Sequence, residues 1–398
     1  MTEAPVFTFD PYDYATQEDP YPSYTWLRAN APLYENAEQN FWALSRHADV
    51  VAAFRSEGTF SNKMGVTLDE SAWGPNASVA MSFLAMDPPD QTRLRKLVSQ
   101  GFTPRRVKEL EPRIREIALS YLDPMLEAGS SDFISEFAGR LPMDVISEML
   151  GVAPSDRQEL RRLADLLVHR EDGARDVPPE GVEAFFAVHA YYTELLADRR
   201  RNPRDDLTSA LLVAEVDGDR LTEQEIIAFL LLMIVAGNET TTKLLGNALF
   251  WAHRFPAQLD SVLADGSRVP KWVEETLRYD GSTQLLARYL LQDVELHGAT
   301  APAGSQLVLL IGSANRDEDV FPHAADFDLD RDTSQMCSFG GGRHYCLGAN
   351  LARLEANVAL DELVRRVKGI EVHDDRAVRV HSVNVRGFAT LPVTLSAR

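Results

Sequence analysis

The sequence predicts a mainly α-helical protein with small β-sheets, folded as one domain over residues 1–398. Helical periodicity covers most of the chain, whereas strand-like runs are short and few. No Ser/Gly linker, low-complexity tract or internal repeat divides the chain. Hydrophobic residues make up 45% of it and charged residues 25%, a balance that can bury a large core.

The predicted helices follow from apolar residues spaced three or four positions apart. They are 20–29, 47–55, 91–100, 104–128, 156–170, 181–200, 222–253, 271–279 and 349–367. The predicted strands are 41–45, 287–290 and 306–310, with a hairpin near 383–395. Residues 60–86 and 171–181 contain Gly and Pro and fit no helix well. Loops of that length in a compact protein are usually functional or mobile.

Charge and cysteine content exclude several classes of protein. The formal net charge of −20 argues against nucleic acid and anionic membrane surfaces as partners. With only Cys337 and Cys346 there is no disulfide framework, so we expect a reducing cytoplasm. The first residues carry neither basic groups nor an apolar run, and we expect no signal peptide or membrane anchor. The most apolar stretch, 226–237, is too short to span a bilayer.

The most informative run is FGGGRHYCLG, residues 339–348. Cys346 comes just before a predicted helix, where free N–H groups and the helix dipole favour a thiolate. A free cysteine is more often a small core residue. The run, however, lacks the spacing of a phosphate loop, the further ligands of a zinc site and the Cys-x-x-Cys-His of covalent haem attachment. A single thiolate as the axial ligand of a haem iron remains.

Residues 339–348 resemble the haem-binding loop of the cytochrome P450 superfamily, with Phe339, Gly340, Gly342, His344, Cys346 and Gly348 on pattern. The resemblance is to the soluble bacterial type and runs from about residue 19 to residue 393. It implies the cytochrome P450 fold, with haem between a long central helix and the helix that follows the cysteine. It also implies haem b (heme b, iron protoporphyrin IX) as the cofactor and Cys346 as the metal ligand.

The long predicted helix 222–253 has an unusual centre. It begins with a capping box, Thr222 to Glu225, and then meets AGNETTT at 236–242, a poor helix interior. Alone, this stretch could be the polar end of a core helix. It resembles the acid–alcohol motif of the superfamily, which implies that Ala236 and Gly237 flank the oxygen pocket. By the same resemblance Thr240 acts on bound O₂ and Glu239 relays protons, while the role of Asn238 stays open.

Other positions resemble the parts of the superfamily that fix the haem. Glu275 and Arg278 match its Glu-x-x-Arg pair, which is structural. The usual third partner, an Arg before Phe-Asp, is absent at 325–328, and Arg316 is a candidate to replace it. The two haem propionates need cationic or hydrogen-bonding partners. The resemblance supplies them as Gln91, Arg95, Arg288 and His344.

The predicted function is a haem-thiolate monooxygenase that hydroxylates or epoxidises a lipophilic small molecule with O₂. Lipids, fatty acids, steroids, terpenoids and macrolides are the classes considered. Electrons are expected from a ferredoxin, with its reductase and NAD(P)H, docking on a basic patch of Arg93, Lys96, Arg105, Arg106, Arg343 and Arg353. The predicted substrate contacts are Phe83, Leu84, Leu232, Met233, Ala236, Leu285, Leu286 and Val385. A peroxide-driven peroxygenase and a non-catalytic haem-binding protein are the alternatives, and the Glu239–Thr240 pair counts against both.

Overall fold

Helices make up most of the structure, a computed structural model that describes residues 7–56, 58–216 and 218–398. The expectation for the extreme N-terminus therefore falls largely on residues 1–6, outside the described ranges. The helices are α1 Tyr14–Glu18, α2 Tyr21–Asn30, α3 His47–Arg55, α4 Ser78–Met81, α5 Asp90–Val98, α6 Pro104–Glu109, α7 Glu111–Ala128, α8 Leu141–Leu150, α9 Arg157–Val168, α10 Pro179–Arg201, α11 Leu207–Val213, α12 Glu223–Arg254, α13 Pro256–Ala264, α14 Val269–Tyr279, α15 Ile311–Ala314 and α16 Ala349–Arg366.

The strands form one five-stranded sheet and several smaller ones. They are β1 Leu33–Asn36, β2 Phe41–Leu44, β3 Phe60–Ser61, β4 Ser130–Asp132, β5 Glu215–Val216, β6 Asp219–Arg220, β7 Leu285–Leu290, β8 Val294–Leu296, β9 Ala299–Ala301, β10 Gln306–Leu310, β11 Val367–Val372, β12 Val378–Arg379, β13 Phe388–Thr390 and β14 Pro392–Ala397. The large sheet has the order β1-β2-β10-β7-β3, with β2 and β10 parallel and its other pairs antiparallel.

Helix α12 runs through the centre of the largest core cluster. It is 32 residues long and starts at the predicted capping box, in which Thr222 and Glu225 each bond the other's backbone N–H. Helices α8, α9, α10, α14 and α16 all pack against it. By length and composition α12 could cross a bilayer, but 67% of its most apolar window is buried by these neighbours. Its apolar surface is therefore explained by core packing.

The predicted helices are confirmed to within a few residues, with one division. The stretch 104–128 forms two helices, α6 and α7, separated at Leu110. Pro112 explains the break, because it lacks the N–H that a helix interior needs and is accommodated only in the first turn of α7.

The structure differs from the prediction in several respects. Helix α8, seven of whose ten residues are buried, was not predicted, and neither were the shorter helices α1, α4, α11, α13 and α15. Several of the strands were not predicted either. The prediction of a C-terminal hairpin was wrong, because β13 pairs with β12 whereas β14 lies between β11 and β4. β13 thus pairs with the strand that precedes it, and β14 has one partner, β4, from much earlier in the chain.

Candidate active site

The loop at 339–348 is folded tightly on itself and ends at α16. The Cys346 N–H donates to the Phe339 carbonyl at 2.9 Å, and the Gly340 N–H donates to the Cys337 carbonyl at 2.8 Å. Gly340 and Gly342 have φ angles of +70° and +59°. A Cβ on Gly342 would lie 2.4 Å from the Phe54 carbonyl oxygen. Glycine at 342 is therefore required both by the backbone conformation and by the approach of α3.

The Cys346 thiol lies at the N-terminus of α16, as predicted. Burial raises the pKa of this thiol, although the N–H groups of Gly348 and Ala349 and the charges of Arg95 and Arg353 act to lower it. The polypeptide alone thus favours a thiol, in contrast to the expectation that the helix N-terminus would favour a thiolate. A bound metal cation would deprotonate the thiol outright.

Two arginines and a histidine gather on one side of this loop: Arg95, Arg288 and His344. Burial lowers the pKa of Arg288 to about 10, with Asp87 opposing the shift. Burial and the charge of Arg288 lower the pKa of His344 to about 4. Arg95 donates to the Tyr345 carbonyl at 2.5 Å through Nη2. Among the described residues, buried Arg95 Nη1 and His344 Nδ1 have no hydrogen-bond partner.

Haem b fits this set of residues. Two unpartnered buried donors beside a buried guanidinium call for anionic groups, and haem carries two propionates. The thiol provides the soft ligand that haem iron accepts. Gln91 does not join the cluster as predicted, because its Nε2 donates to the Arg343 carbonyl at 2.9 Å. It braces the cysteine loop instead.

The centre of α12 opens onto a cavity. Residues 235–237 and Thr240 are half-buried, whereas the helix on either side of them is almost fully buried. The Thr240 hydroxyl donates to the Ala236 carbonyl at 2.8 Å, and Ser282 donates to the Thr240 carbonyl at 2.6 Å. Gly237 faces α8 instead of the cavity; a Cβ there would lie 3.2 Å from Ile146. Its role is therefore helix packing.

Glu239 lies one residue before Thr240 and is 1% exposed. Lys243 Nζ lies 3.2 Å from Glu239 Oε2, and Asn238 Nδ2 donates to Glu239 Oε1 at 3.1 Å. Burial would raise the pKa of Glu239, but Lys243, Asp165 and Arg161 outweigh it and lower that pKa. Asn238 is also 1% exposed, so it orients Glu239 and does not face the cavity.

The cavity has a volume of about 650 Å³, and Thr240 and Glu239 belong to its wall. Of the predicted substrate contacts, five line it: Leu84, Leu232, Ala236, Leu286 and Val385. The other three lie elsewhere. Phe83 packs on Phe229 at a ring distance of 6.2 Å, Met233 belongs to the core around α12, and Leu285 to the core beside α2. Trp73, Val235, Thr283, Phe185 and Phe186 line the cavity as well.

The two predicted loops meet across the cavity. Arg170, two residues after the end of α9, donates to both carboxylate oxygens of Asp69 at 2.6 and 2.9 Å. Ser71 donates to Asp176 through its N–H at 3.0 Å and through its hydroxyl at 2.6 Å. We call these four residues the loop latch. Asp69 and Arg170 are 1% and 5% exposed, so their pair is buried.

The Glu275–Arg278 pair is buried and has a third member. Arg278 donates to both Glu275 oxygens at 2.8 and 2.6 Å, and the side chains are 1% exposed or less. Arg331 Nε lies 3.4 Å from Glu275 Oε1. Arg316 does not take this place; it donates to the Tyr279 carbonyl at 2.7 Å and covers that ring. The third cation thus follows Phe327 instead of preceding it.

The predicted basic patch is partly neutralised. Arg93 pairs with Asp219 and Glu225, and Arg353 pairs with Glu274 at 2.6 Å. Arg105 pairs with Glu109 at 3.0 Å but has a side chain that is 90% exposed. Arg106 is exposed as well, next to Arg105 on α6. Lys96 and Arg343 are exposed too, so cationic side chains of the predicted patch remain at the surface on α5, on α6 and in the cysteine loop.

Comparison with known proteins identifies relatives over nearly the whole chain. The profile of the family described as Cytochrome P450 matches residues 268–393. The chain is 56% identical over 395 residues to a Mycobacterium tuberculosis protein named as cytochrome P450 123, covering 99% of this chain and 98% of that one. It is 40% identical over 390 residues to the vitamin D(3) 25-hydroxylase of Pseudonocardia autotrophica, covering 96% and 95%. The structure of cytochrome P450 CYP109Q5 from Chondromyces apiculatus matches with a TM-score of 0.88 and 38% identity over 98% of both chains.

Proposed function

Because this chain belongs to the cytochrome P450 family and is a haem-dependent monooxygenase, we propose that Cys346 binds the haem iron and that the substrate is a neutral lipophile. Steroids and terpenoids are the classes that we favour. The observation that carries the substrate proposal is the charge balance of the cavity. Its wall is mainly apolar, and every charged group that lines it is already paired within the protein.

The residues that would hold the haem are Cys346 for the iron and Arg95, Arg288 and His344 for the propionates. When bound, the haem activates O₂ and provides the oxygen that enters the substrate. The protein contributes the surroundings: an apolar wall that excludes water, the Thr240 hydroxyl on the cavity surface and the Glu239 carboxylate beside it. A hydroxyl next to a carboxylate can hold and pass protons.

The charge balance separates neutral substrates from carboxylates. The cavity wall as described carries three ionisable charges, Asp69, Arg170 and Glu239. Arg170 is neutralised by Asp69, and Glu239 by Lys243. A fatty-acid carboxylate entering this cavity would lose its hydration without gaining a free cation, which is strongly unfavourable. The Pseudonocardia relative is named as a hydroxylase of vitamin D(3), a neutral molecule, and this supports the proposal.

Matched ligands test the substrate proposal. The ferric protein is titrated with dodecanol, dodecanoic acid and testosterone, and the shift of the haem spectrum to high spin gives each Kd. We expect the alcohol and the steroid to bind at least roughly tenfold more tightly than the acid, which is about 1.4 kcal/mol. Tighter binding of the acid, or no shift with either neutral compound, would overturn the proposal. In Asp69→Asn, which leaves Arg170 unpaired, the preference should move toward the acid.

The assignment of Cys346 as the iron ligand can be tested against the second cysteine of the chain, Cys337, as a matched control. Cys346→Ser should abolish the thiolate-type spectrum of the reduced carbon monoxide complex. Cys337→Ser should keep it, because Cys337 is 3% exposed and its thiol lies 3.4 Å from Asn315 Oδ1. Persistence of the thiolate spectrum in Cys346→Ser would refute the assignment.

The electron donor proposed is a ferredoxin, reduced through a reductase by NAD(P)H, and the proposed location is the cytoplasm. Exposed Arg105 and Arg106 on α6 are the cations that an acidic partner would meet. Arg106→Glu should slow reduction by the ferredoxin and weaken its salt dependence. Arg162→Glu, a charge reversal on exposed α9, serves as the control. Equal reduction rates in the two variants would refute docking at α6.

A further inference from the structure

Two polar side chains, Thr283 and Asn384, stand at neighbouring positions on the mainly apolar wall of the cavity. Thr283 forms an antiparallel bridge with Val385, the residue after Asn384, and the Gln284 N–H donates to the Asn384 carbonyl at 2.9 Å. Residues directly opposite each other in an antiparallel pair project their side chains to the same face. Because Val385 lines the cavity, the Thr283 side chain faces it too.

This part of the wall is held in place by backbone hydrogen bonds. The Gly312 N–H donates to the Gln284 carbonyl at 3.0 Å, and the Arg386 N–H donates to the Ser282 carbonyl at 2.7 Å. The Ser282 hydroxyl also donates to the Thr240 carbonyl at 2.6 Å, which ties the wall to α12. Side chains on such a fixed backbone can hold a ligand group in one orientation.

The polar atoms of Thr283 and Asn384 are not used within the protein. Among the residues that the structure describes, none bonds the Thr283 hydroxyl and none accepts from Asn384 Nδ2, while Asn384 Oδ1 lies 3.5 Å from the Ser382 hydroxyl. Both residues are half-buried, and their unpartnered polar atoms are accessible instead of being closed off in the core. The pair therefore offers the two N–H groups of an amide and a hydroxyl that can donate or accept.

Most other polar groups of the wall are already bonded within the protein. These are the side chains of Asp69, Ser71, Arg170, Glu239 and Thr240. The Thr67 hydroxyl is unpartnered but closed to the cavity. Trp73 and Asn76 carry donors with no partner in the described ranges, but they lie on the loop between β3 and α4. Thr283 and Asn384 are thus the unused polar pair on the strand side of the wall.

A hydrocarbon that filled the cavity would displace water from Thr283 and Asn384 and leave both groups unpaired, which is unfavourable. A ligand oxygen at the same place would restore the hydrogen bonds. A site of this kind discriminates against the analogue that lacks the oxygen. We propose that the substrate carries a hydroxyl or keto oxygen and that Asn384 Nδ2 and the Thr283 hydroxyl bind it. The inference rests on the proposed neutral lipophilic substrate and narrows it to an oxygenated terpenoid or steroid.

Two matched steroids test the inference: androstane, a hydrocarbon, and androsterone, which has the same rings with a hydroxyl and a keto group. Calorimetry on the haem-loaded protein gives each Kd, and the shift to high spin is a second readout. In Thr283→Val and in Asn384→Leu, androsterone should bind roughly fivefold more weakly. Androstane should bind equally well or more tightly, because no polar group is left unpaired. A packing defect alone would weaken both ligands together, and Thr283→Ser should keep the wild-type ratio of the two Kd values.

Thr67→Val and Trp73→Phe are the controls, and both should keep the wild-type ratio. An unchanged ratio in either Thr283→Val or Asn384→Leu, a ratio that falls in Trp73→Phe, or no binding of androsterone to the wild type overturns the inference. The dodecanol and dodecanoic acid titration tests the substrate proposal separately. If the alcohol binds more tightly than the acid, an unchanged steroid ratio removes only the role of Thr283 and Asn384.

Discussion

Asp280 offers a strong test of how the site is supported, because it is fully buried and surrounded by donors. Arg386 Nε donates to its Oδ1 at 2.7 Å, Tyr21 donates to the same oxygen at 2.5 Å, and Trp251 Nε1 donates to Oδ2 at 2.7 Å. The neighbouring Ser282 holds the Thr240 carbonyl, and the Arg386 N–H donates to the Ser282 carbonyl at 2.7 Å. The Asp280 cluster thus supports the chain that carries the cavity wall. We consider the substitution Asp280→Asn.

The size of the effect follows from the charge that is removed. Burial raises the pKa of Asp280, but Arg386, Arg379 and the hydrogen bonds lower it to about 2 from the ordinary 3.8. At 1.36 kcal/mol per pKa unit this shift corresponds to about 2 kcal/mol of stability, which is present above pH 4. Because the folded-state pKa is below the unfolded one, this contribution is lost as the pH falls from about 4 to about 2. Leaving Arg386 without its partner costs in total about 3–5 kcal/mol.

The assay is urea unfolding of the haem-loaded wild type and Asp280→Asn, followed by tryptophan fluorescence. We expect the difference in unfolding free energy to be about 3 kcal/mol or more and constant from pH 8 to pH 5, and to shrink where acid unfolding begins. Asp374→Asn is the control, since its pair with Arg254 is exposed and should be worth less than about 1 kcal/mol. A difference below 1 kcal/mol, or one that changes between pH 8 and pH 5, would refute the reasoning.

Three further predictions concern the haem side and the helix α12. Arg331→Ala should lower the unfolding free energy by about 1–3 kcal/mol, because it removes a cation beside buried Glu275; an unchanged melting temperature would contradict this. Gly342→Ala should reduce haem retention, since its Cβ would meet the Phe54 carbonyl at 2.4 Å, whereas Gly266→Ala should not. Thr240→Val should raise the peroxide released per NAD(P)H, while Thr242→Val should leave coupling unchanged and stability equal or higher, because the buried Thr242 hydroxyl has no partner among the described residues.

Local sequence was sufficient to predict most of the longer helices but not all of them. Helix α12 was predicted within one residue at each end, because the Thr222–Glu225 capping box marks its start and apolar periodicity continues past the polar centre. Helix α8 was missed because seven of its ten residues are buried and no capping residue marks its start; its only charged residues are Asp144 and Glu148. The terminal strands were assigned to each other because neighbours in sequence usually pair. In the structure, contacts with β4, β11 and β12 decide their pairing.

The site residues likewise divide into those that a local motif predicts and those that are brought together only by the fold. Cys346, Thr240 and Glu239 stand in short motifs and were found because those motifs resemble the ones of the superfamily. Asp69 and Arg170 of the loop latch pair from segments far apart in the chain, and no local pattern marks their pairing. Arg331 was missed for a related reason: the third partner of Glu275 was sought before Phe327, but the chain turns so that a later arginine points back to the pair.

The loop latch has a consequence for how ligands reach the interior. The segment containing Asp69 and Ser71 and the segment following α9 are joined to each other by a buried bidentate ion pair and by the Ser71–Asp176 bonds. Displacing one segment without the other would leave an unpaired charge in an apolar wall. The free-energy cost of that displacement is higher than the cost of moving both segments together. They should therefore open as one cooperative unit, with a single rate for the passage of substrate in and product out.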